Sequence, residues 1–225
     1  KLLTGIFEMP QSTPYYGIIK ESGLLPIKEL IVEKKIILFY DLLTSKKERT
    51  ARKVLKVQME REYEKCWYSE LKELANEYQI DLLNIKENTK TEWKRYVKDK
   101  IIKKVEKKME QECKKRKLRF IEGDKFERKK YVNDTNVIDC KRIMRARLNM
   151  VRLRENYKRA HESTLCEGCE LYEETTEHVL ECERYQFLTG RNQASYDLNN
   201  LNVENLRQIG NYLETVEEIK ERHII

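Results

Sequence analysis

Apolar positions recur every three to four residues along most of the chain, and this pattern predicts helices almost throughout. Residues 1–45 read as two helical pieces. Ser22-Gly23 interrupts them, and Pro26 stands where the second begins, because a fixed φ suits a first helical turn. From Ile27 onward Leu30, Ile31, Lys34, Ile37, Leu38 and Asp41 track one side of that helix, with two polar exceptions, and predict its packed face. Residues 48–78 read as one long charged helix carrying Val54, Val57, Met59, Trp67, Leu71 and Leu74. The pattern breaks over residues 84–91, where Asn88 and Thr89 suit the start of a cap. Trp93, Val97, Ile101 and Val105 then fall at four-residue steps and share a face. Trp67 and Trp93 read as core rather than as platforms for stacked bases. Lys107-Lys108 and Lys114-Lys115-Arg116-Lys117 read as a solvated face. Near the end, Leu206, Ile209, Leu213 and Val216 alternate steps of three and four, which predicts a docking stripe on a helix over 201–222. Gly210 within it weakens that helix by roughly 1 kcal/mol relative to alanine. No internal repeat or low-complexity linker interrupts the chain.

Composition agrees with a mostly α chain. Of 225 residues, 38% are charged and 40% hydrophobic, with only 7 glycines and 3 prolines, too few turn residues for a many-stranded sheet. The length allows one large or two small domains. The expected organisation is a helical segment over 1–45, a charged helical linker over 46–130, an arginine-rich element with a metal module over 131–190, and a C-terminal helix over 191–225. The longest apolar run, Ile36-Ile37-Leu38-Phe39-Tyr40, is core-sized and far short of a bilayer span, so no membrane partner is expected. No secretory signal is legible. The chain opens on Lys1 and runs straight into an apolar pattern, which reads as a piece of a longer polypeptide.

Charge and cysteine then change the picture. Residues 161–225 hold five Lys/Arg against fourteen Asp/Glu, a net of −9, whereas residues 1–160 hold 41 basic against 25 acidic groups, a net of +16. A basic body calls for a polyanionic partner. Of six cysteines, Cys66, Cys113 and Cys140 stand alone, while Cys166, Cys169 and Cys182 gather around His178. That clustering points to metal in a reducing compartment rather than to a disulfide framework.

The pattern is Cys166-x2-Cys169-x8-His178-x3-Cys182. Two cysteines two residues apart reach one ion from a tight turn, and Gly168 between them relieves its backbone strain. His178 and Cys182 stand at i and i+4, so a helix puts both on one face. Thr175 suits the cap of that helix and Gly190 its end; Tyr185, one turn past Cys182, shields the site. Three thiolates and an imidazole make a closed tetrahedron for zinc, with no position open to water or substrate. The ion–ligand set carries a net −1, which Arg184 or Lys158 offsets. His161 lies nearby without a spacing partner, and His223 reads as surface. The other reading is three buried free cysteines beside an incidental histidine.

Just upstream, residues 141–159 hold eight cationic side chains and one anionic one. As a helix, this stretch puts Arg142, Arg145, Arg152 and Arg159 on one face and Met144, Leu148 and Val151 on another. Arginine pairs bidentately with phosphate. Arg142, Arg145, Arg147, Arg152, Arg154, Lys158 and Arg159 are therefore the candidate nucleic-acid contacts. The competing reading has these arginines paired with acidic residues over 162–183. The zinc loop is itself acidic and is expected to brace the arginines rather than to touch phosphates.

The arginine-rich element, the Cys-x2-Cys pair and the run Glu174-Thr175-Thr176-Glu177-His178-Val179-Leu180-Glu181-Cys182, with Tyr185 after it, resemble the C-terminal region of non-LTR retrotransposon reverse transcriptases. Thr13-Pro14-Tyr15-Tyr16-Gly17-Ile18 with Glu21-Ser22-Gly23-Leu24-Leu25-Pro26-Ile27 looks like the thumb that follows the polymerase palm, and the charged helices with Trp67 and Trp93 resemble the linker of that family. The resemblance implies that Cys166, Cys169, His178 and Cys182 are zinc ligands. It also implies that the segment grips template RNA or target DNA beside an upstream polymerase domain of the same polypeptide, in the nucleus with a cytoplasmic ribonucleoprotein phase. The catalytic tyrosine-any-Asp-Asp loop is absent, since no two aspartates are adjacent here. No catalytic residue is therefore expected in this chain. The acidic segment 161–225 keeps a rival open, a zinc-stabilised surface for another protein.

Overall fold

The computed structural model describes residues 4–5, 7, 9–10, 12–45, 49–61, 64–115, 118–121, 125–156, 163–190, 197–199 and 202–222. Among these the fold is mostly α, with ten α-helices and no strand beyond a single β-bridge between Leu165 and Glu173. The chain divides into two compact units, one of residues 25–108 and one of residues 1–24 with 109–225. The division differs from the four consecutive segments expected, because the first helix packs into the core of the C-terminal region.

The unit of residues 25–108 contains α2 (Ile27–Thr44), α3 (Thr50–Arg61), α4 (Trp67–Glu77), a 3-10 turn (Leu82–Glu87) and most of α5 (Lys90–Lys115). Pro26 is the N-cap of α2, as the sequence predicts. The packed face is another matter. Val32, Ile36, Phe39 and Tyr40 are buried, whereas Ile27, Leu30, Ile31 and Leu38 of the expected stripe are exposed and only Ile37 is covered. Apolar and charged side chains are both spread around this helix, so periodicity does not choose a side. The aromatic partners do: Phe39 stacks on Tyr68 at 5.8 Å and Tyr40 on Trp93 at 6.2 Å. The single helix expected over 48–78 is two, α3 and α4. Cys66 and Ser69 form a reciprocal cap, Ser69 N to Cys66 Sγ at 3.4 Å and Cys66 N to Ser69 Oγ at 3.0 Å, which starts α4 afresh. The second start turns Leu55, Leu71 and Ala75 inward and leaves Val54 and Val57 exposed. Ahead of α5, Thr89 and Glu92 cap one another, and the expected stripe Trp93, Val97, Ile101 and Val105 is buried along its whole length. Trp93 is core as expected; Trp67 is half-buried.

The other unit contains α1 (Tyr15–Ser22), the end of α5, a 3-10 turn (Arg119–Ile121), α6 (Lys130–Asp134), α7 (Val137–Arg147), α8 (Thr176–Glu181), α9 (Glu183–Thr189) and α10 (Val203–Glu221). Gly23 ends α1 at φ 62, and a Cβ there would lie 2.3 Å from the backbone N of Arg128, so only glycine fits. Asn136 caps α7 and Asn202 caps α10 through side-chain oxygens. The predicted stripe Leu206, Ile209, Leu213 and Val216 is buried, and α10 lies along α7. Gly210 is what permits this closeness: a Cβ on it would stand 3.0 Å from Arg142 Cβ and 3.3 Å from the Ile143 N. α10 also reaches α8, where the Tyr212 hydroxyl donates to Val179 O at 3.1 Å.

No helix among the described residues is long and apolar enough to cross a membrane.

Candidate metal centre

The two halves of the motif fold for separable reasons. Cys166 and Cys169 lie on a tight turn closed by backbone hydrogen bonds, Cys166 N to Tyr172 O at 2.7 Å, Glu170 N to Cys166 O at 2.8 Å and Glu174 N to Thr164 O at 2.8 Å. The left-handed residue is Glu170, at φ 59, and not Gly168. Gly168 is needed for space instead, since a Cβ on it would meet the Tyr185 ring at 3.2 Å. Tyr185 is fully buried and covers the site as predicted. Burial, with Glu174 and Cys166 nearby, holds its phenol well above the ordinary range.

His178 sits in α8, whose first turn is capped by Thr175: the Thr175 Oγ1 accepts from His178 N at 3.0 Å. Cys182 is not on the same helix. It is extended, at φ −67 and ψ 114, and separates α8 from α9, which Gly190 ends at φ 64. The break turns Cys182 inward beside Cys166, a result the i, i+4 spacing does not express.

The four donor atoms of Cys166, Cys169, His178 and Cys182 lie within 4.8 Å of one another, so one ion can touch all four. Cys166 Sγ and Cys182 Sγ are 3.9 Å apart, and Cys169 Sγ and His178 Nε2 are 3.3 Å apart. Bond lengths of about 2.3 Å to sulfur and 2.0–2.1 Å to nitrogen place tetrahedron edges at about 3.8 Å between sulfurs and 3.6 Å between sulfur and nitrogen. The Cys166–Cys182 and Cys169–His178 separations lie close to these edges, and the quartet as a whole could hold a metal ion. The thiols differ in readiness: burial pushes Cys166 up to about 12. At Cys169 burial acts the same way, but backbone N–H groups of Leu171 and Tyr172 and the neighbouring thiols outweigh it and hold the thiol below its usual value. Burial also lowers His178, favouring the neutral ring that ligates metal. The Tyr172 ring leans on the His178 imidazole at 5.3 Å between centroids.

The arginine element departs from expectation. α7 ends at Arg147, Asn149 is left-handed at φ 55, and the chain continues as turns, so Arg152 and Arg154 do not extend the face of Arg142 and Arg145. Arg147 is no phosphate contact. Its side chain is 0% exposed, its Nε donates to Glu21 at 2.8 Å, and its Nη1 reaches Leu198 O. Tyr131 donates to the same Glu21, so the carboxylate is satisfied twice. Arg145 grips Glu217 through both carboxylate oxygens at 2.8 and 3.0 Å. Arg142 binds Asn211 Oδ1 at 2.9 Å and pairs with Glu214 and Asp139. Arg154 joins Glu167 at 3.0 Å and the Leu165 carbonyl at 3.0 Å. Arg152 pairs with Glu221 at 2.7 Å but is 68% exposed. Lys158, Arg159, His161 and His223 lie outside the described residues.

Carboxylates neutralise Arg142, Arg145, Arg147 and Arg154, but only Arg154 takes its partners, Glu167 and Glu174, from 162–183 as the competing reading has it. Glu214 and Glu217 come from α10, Glu21 from α1 and Asp139 from α7 itself. Two features have no local signal. Glu174 is buried and takes Lys220 of α10, 46 residues away in sequence. Lys94, Lys98, Lys103 and Lys107 of α5 are exposed and form no ion pair with a described residue. Arg184, suggested as a counter-charge, is exposed and lines an open groove beside Cys169, His178 and Cys182. No protein-family model, curated protein or solved structure was found to match the chain.

Proposed function

We propose that the chain is a non-catalytic, nucleic-acid-binding segment of a reverse transcriptase of the non-LTR retrotransposon kind, cross-linked by one structural zinc ion. The observation that carries the reading is the Cys3His quartet, whose spacing resembles that family and whose separations fit a tetrahedral ion. Thiolate and imidazole donors select zinc over hard cations, and four protein ligands leave no position for a reacting water. The ion's role is to join the Cys166–Cys169 turn to the junction of α8 and α9. From there Arg154–Glu167 and Lys220–Glu174 tie the knuckle to the arginine element and to α10.

The placement of the arginines moves the polyanion contact. Those of α7 are taken up by carboxylates, so they act as struts. Cationic charge without an ion pair to a described residue lies on α5, at Lys94, Lys98, Lys103 and Lys107, while Arg152 is exposed and paired only with the equally exposed Glu221. Phosphate contacts of this kind give affinity without base specificity.

Two measurements test the reading. Metal analysis of the purified chain is expected to find one zinc per molecule; its absence refutes the zinc cross-link. Binding of labelled RNA and DNA is followed from low to high salt, and log K is expected to fall linearly with log salt, by about 0.9 per neutralised phosphate on duplex DNA. Salt-independent binding, or none, refutes the nucleic-acid reading.

A further inference from the structure

Beside the metal ligands the knuckle carries a face with no occupant among the described residues. Leu171, Tyr172 and Phe187 are 73%, 64% and 77% exposed, three large apolar side chains within a segment of seventeen residues. They border an open groove of about 1000 Å³ whose floor includes Gly168, Cys169 and His178. Their positions are built. Leu171 and Tyr172 follow the left-handed Glu170 on the closed turn, Tyr172 rests on the His178 ring, and Phe187 projects from α9. Scattered apolar residues on a surface need no explanation, but a contiguous set around a preformed groove marks an interaction site.

The rim decides the occupant. Glu181 and Glu183 line the groove, and Glu170 and Glu173 flank Leu171 and Tyr172 in sequence; all four are exposed, and none forms an ion pair with a described residue. Among the described residues Arg184 is the one lysine or arginine lining the groove. Four carboxylates against one guanidinium repel a phosphate backbone and attract a basic segment. An extended or helical peptide supplies what both parts ask for: apolar anchors for the groove and lysine or arginine beside them for the rim.

We infer that this face docks a basic, amphipathic protein segment, two or more apolar side chains entering the groove over Leu171, Tyr172 and Phe187 and flanking cations meeting Glu170, Glu173, Glu181 and Glu183. The inference goes beyond the nucleic-acid reading and does not depend on it. It makes the knuckle a protein-binding face, separate from the lysines of α5.

The test uses the full zinc-loaded chain and three labelled probes: a helical peptide with leucine at i, i+3, i+4 and i+7 and lysine elsewhere, the same leucines with glutamate elsewhere, and a single-stranded oligonucleotide. The lysine peptide is expected to bind at least tenfold more tightly than the glutamate peptide. Leu171→Ser with Phe187→Ser is expected to weaken it at least tenfold, and Glu181→Lys with Glu183→Lys to weaken it similarly, each variant keeping its metal and its helical circular dichroism. Lys103→Gln with Lys107→Gln is expected to leave peptide affinity unchanged while lowering oligonucleotide affinity, which separates this site from the nucleic-acid contact. Four results overturn the inference: no binding of the lysine peptide, equal binding by the serine variant, oligonucleotide binding abolished by that same variant, or self-association of the chain that the serine variant abolishes.

Discussion

Two stretches of this chain carry dense positive charge, and they use it in opposite ways. On α7 and the turns after it, Arg142, Arg145, Arg147 and Arg154 each hold a carboxylate, and Arg147 is wholly buried with Glu21. On α5, Lys94, Lys98, Lys103 and Lys107 face solvent with no such partner among the described residues. The difference follows from what lies against each element. α7 packs on α10, which brings Glu214 and Glu217 to guanidinium height, while the outer side of α5 lies opposite its buried stripe of Trp93, Val97, Ile101 and Val105. Arginine offers a planar fork that a carboxylate can match at fixed geometry; lysine offers a mobile, strongly hydrated point charge. Charge density alone does not say whether a cationic run is a strut or a grip.

The largest test of this contrast is removal of the metal. Chelation, or Cys169→Ser, takes away an apparent binding free energy of roughly 10–16 kcal/mol that is also folding free energy for a small metal module. Amide exchange is expected to accelerate over residues 163–190 while residues 25–108 keep their protection; uniform protection in the metal-free chain breaks the assignment. Next in size is Arg147→Met, which strands the Glu21 carboxylate and is expected to cost about 3–5 kcal/mol by urea unfolding, most of it recovered when Glu21→Leu is added. A cost as small as a surface substitution would show that Arg147 is no strut.

Gly210→Ala comes third. Helix propensity alone predicts a gain of roughly 1 kcal/mol, but crowding against Arg142 Cβ and the Ile143 backbone is expected to reverse the sign and destabilise by about 1–3 kcal/mol. A gain in melting temperature would mean that α7 and α10 can part. Lys103→Gln with Lys107→Gln is expected to shift stability by no more than about 0.5 kcal/mol, yet to lower the salt slope of nucleic-acid binding by about 0.9 for each phosphate that no longer meets a lysine. An unchanged slope removes α5 from the interface. Smallest of all, Arg152→Ala breaks a solvent-exposed pair and is expected to cost under about 1 kcal/mol by denaturant titration.

Legibility in sequence follows the range of the interaction. The cap at Thr175, the stop at Gly190, the buried stripes of α5 and α10, the start of α2 after Pro26 and the Cys3His quartet are all readable, because each depends on residues within a few turns of one another. The face of α2 is not, since a helix with apolar side chains on every side among charged ones takes its orientation from Tyr68 and Trp93. The break before α4 escapes the periodicity because a cysteine paired with serine makes an unusual cap.

By itself, then, the sequence determined the helical content, several helix ends and the identity of four metal-fit donors, all products of local periodicity, backbone preference and ligand spacing. Tertiary structure alone decided which apolar faces were covered and which cations were neutralised. Glu21 meets Arg147, and Glu174 meets Lys220, only after segments 126 and 46 residues apart have packed. Coulombic pairing over such distances in sequence is set by the shape of the fold, and no local pattern encodes it.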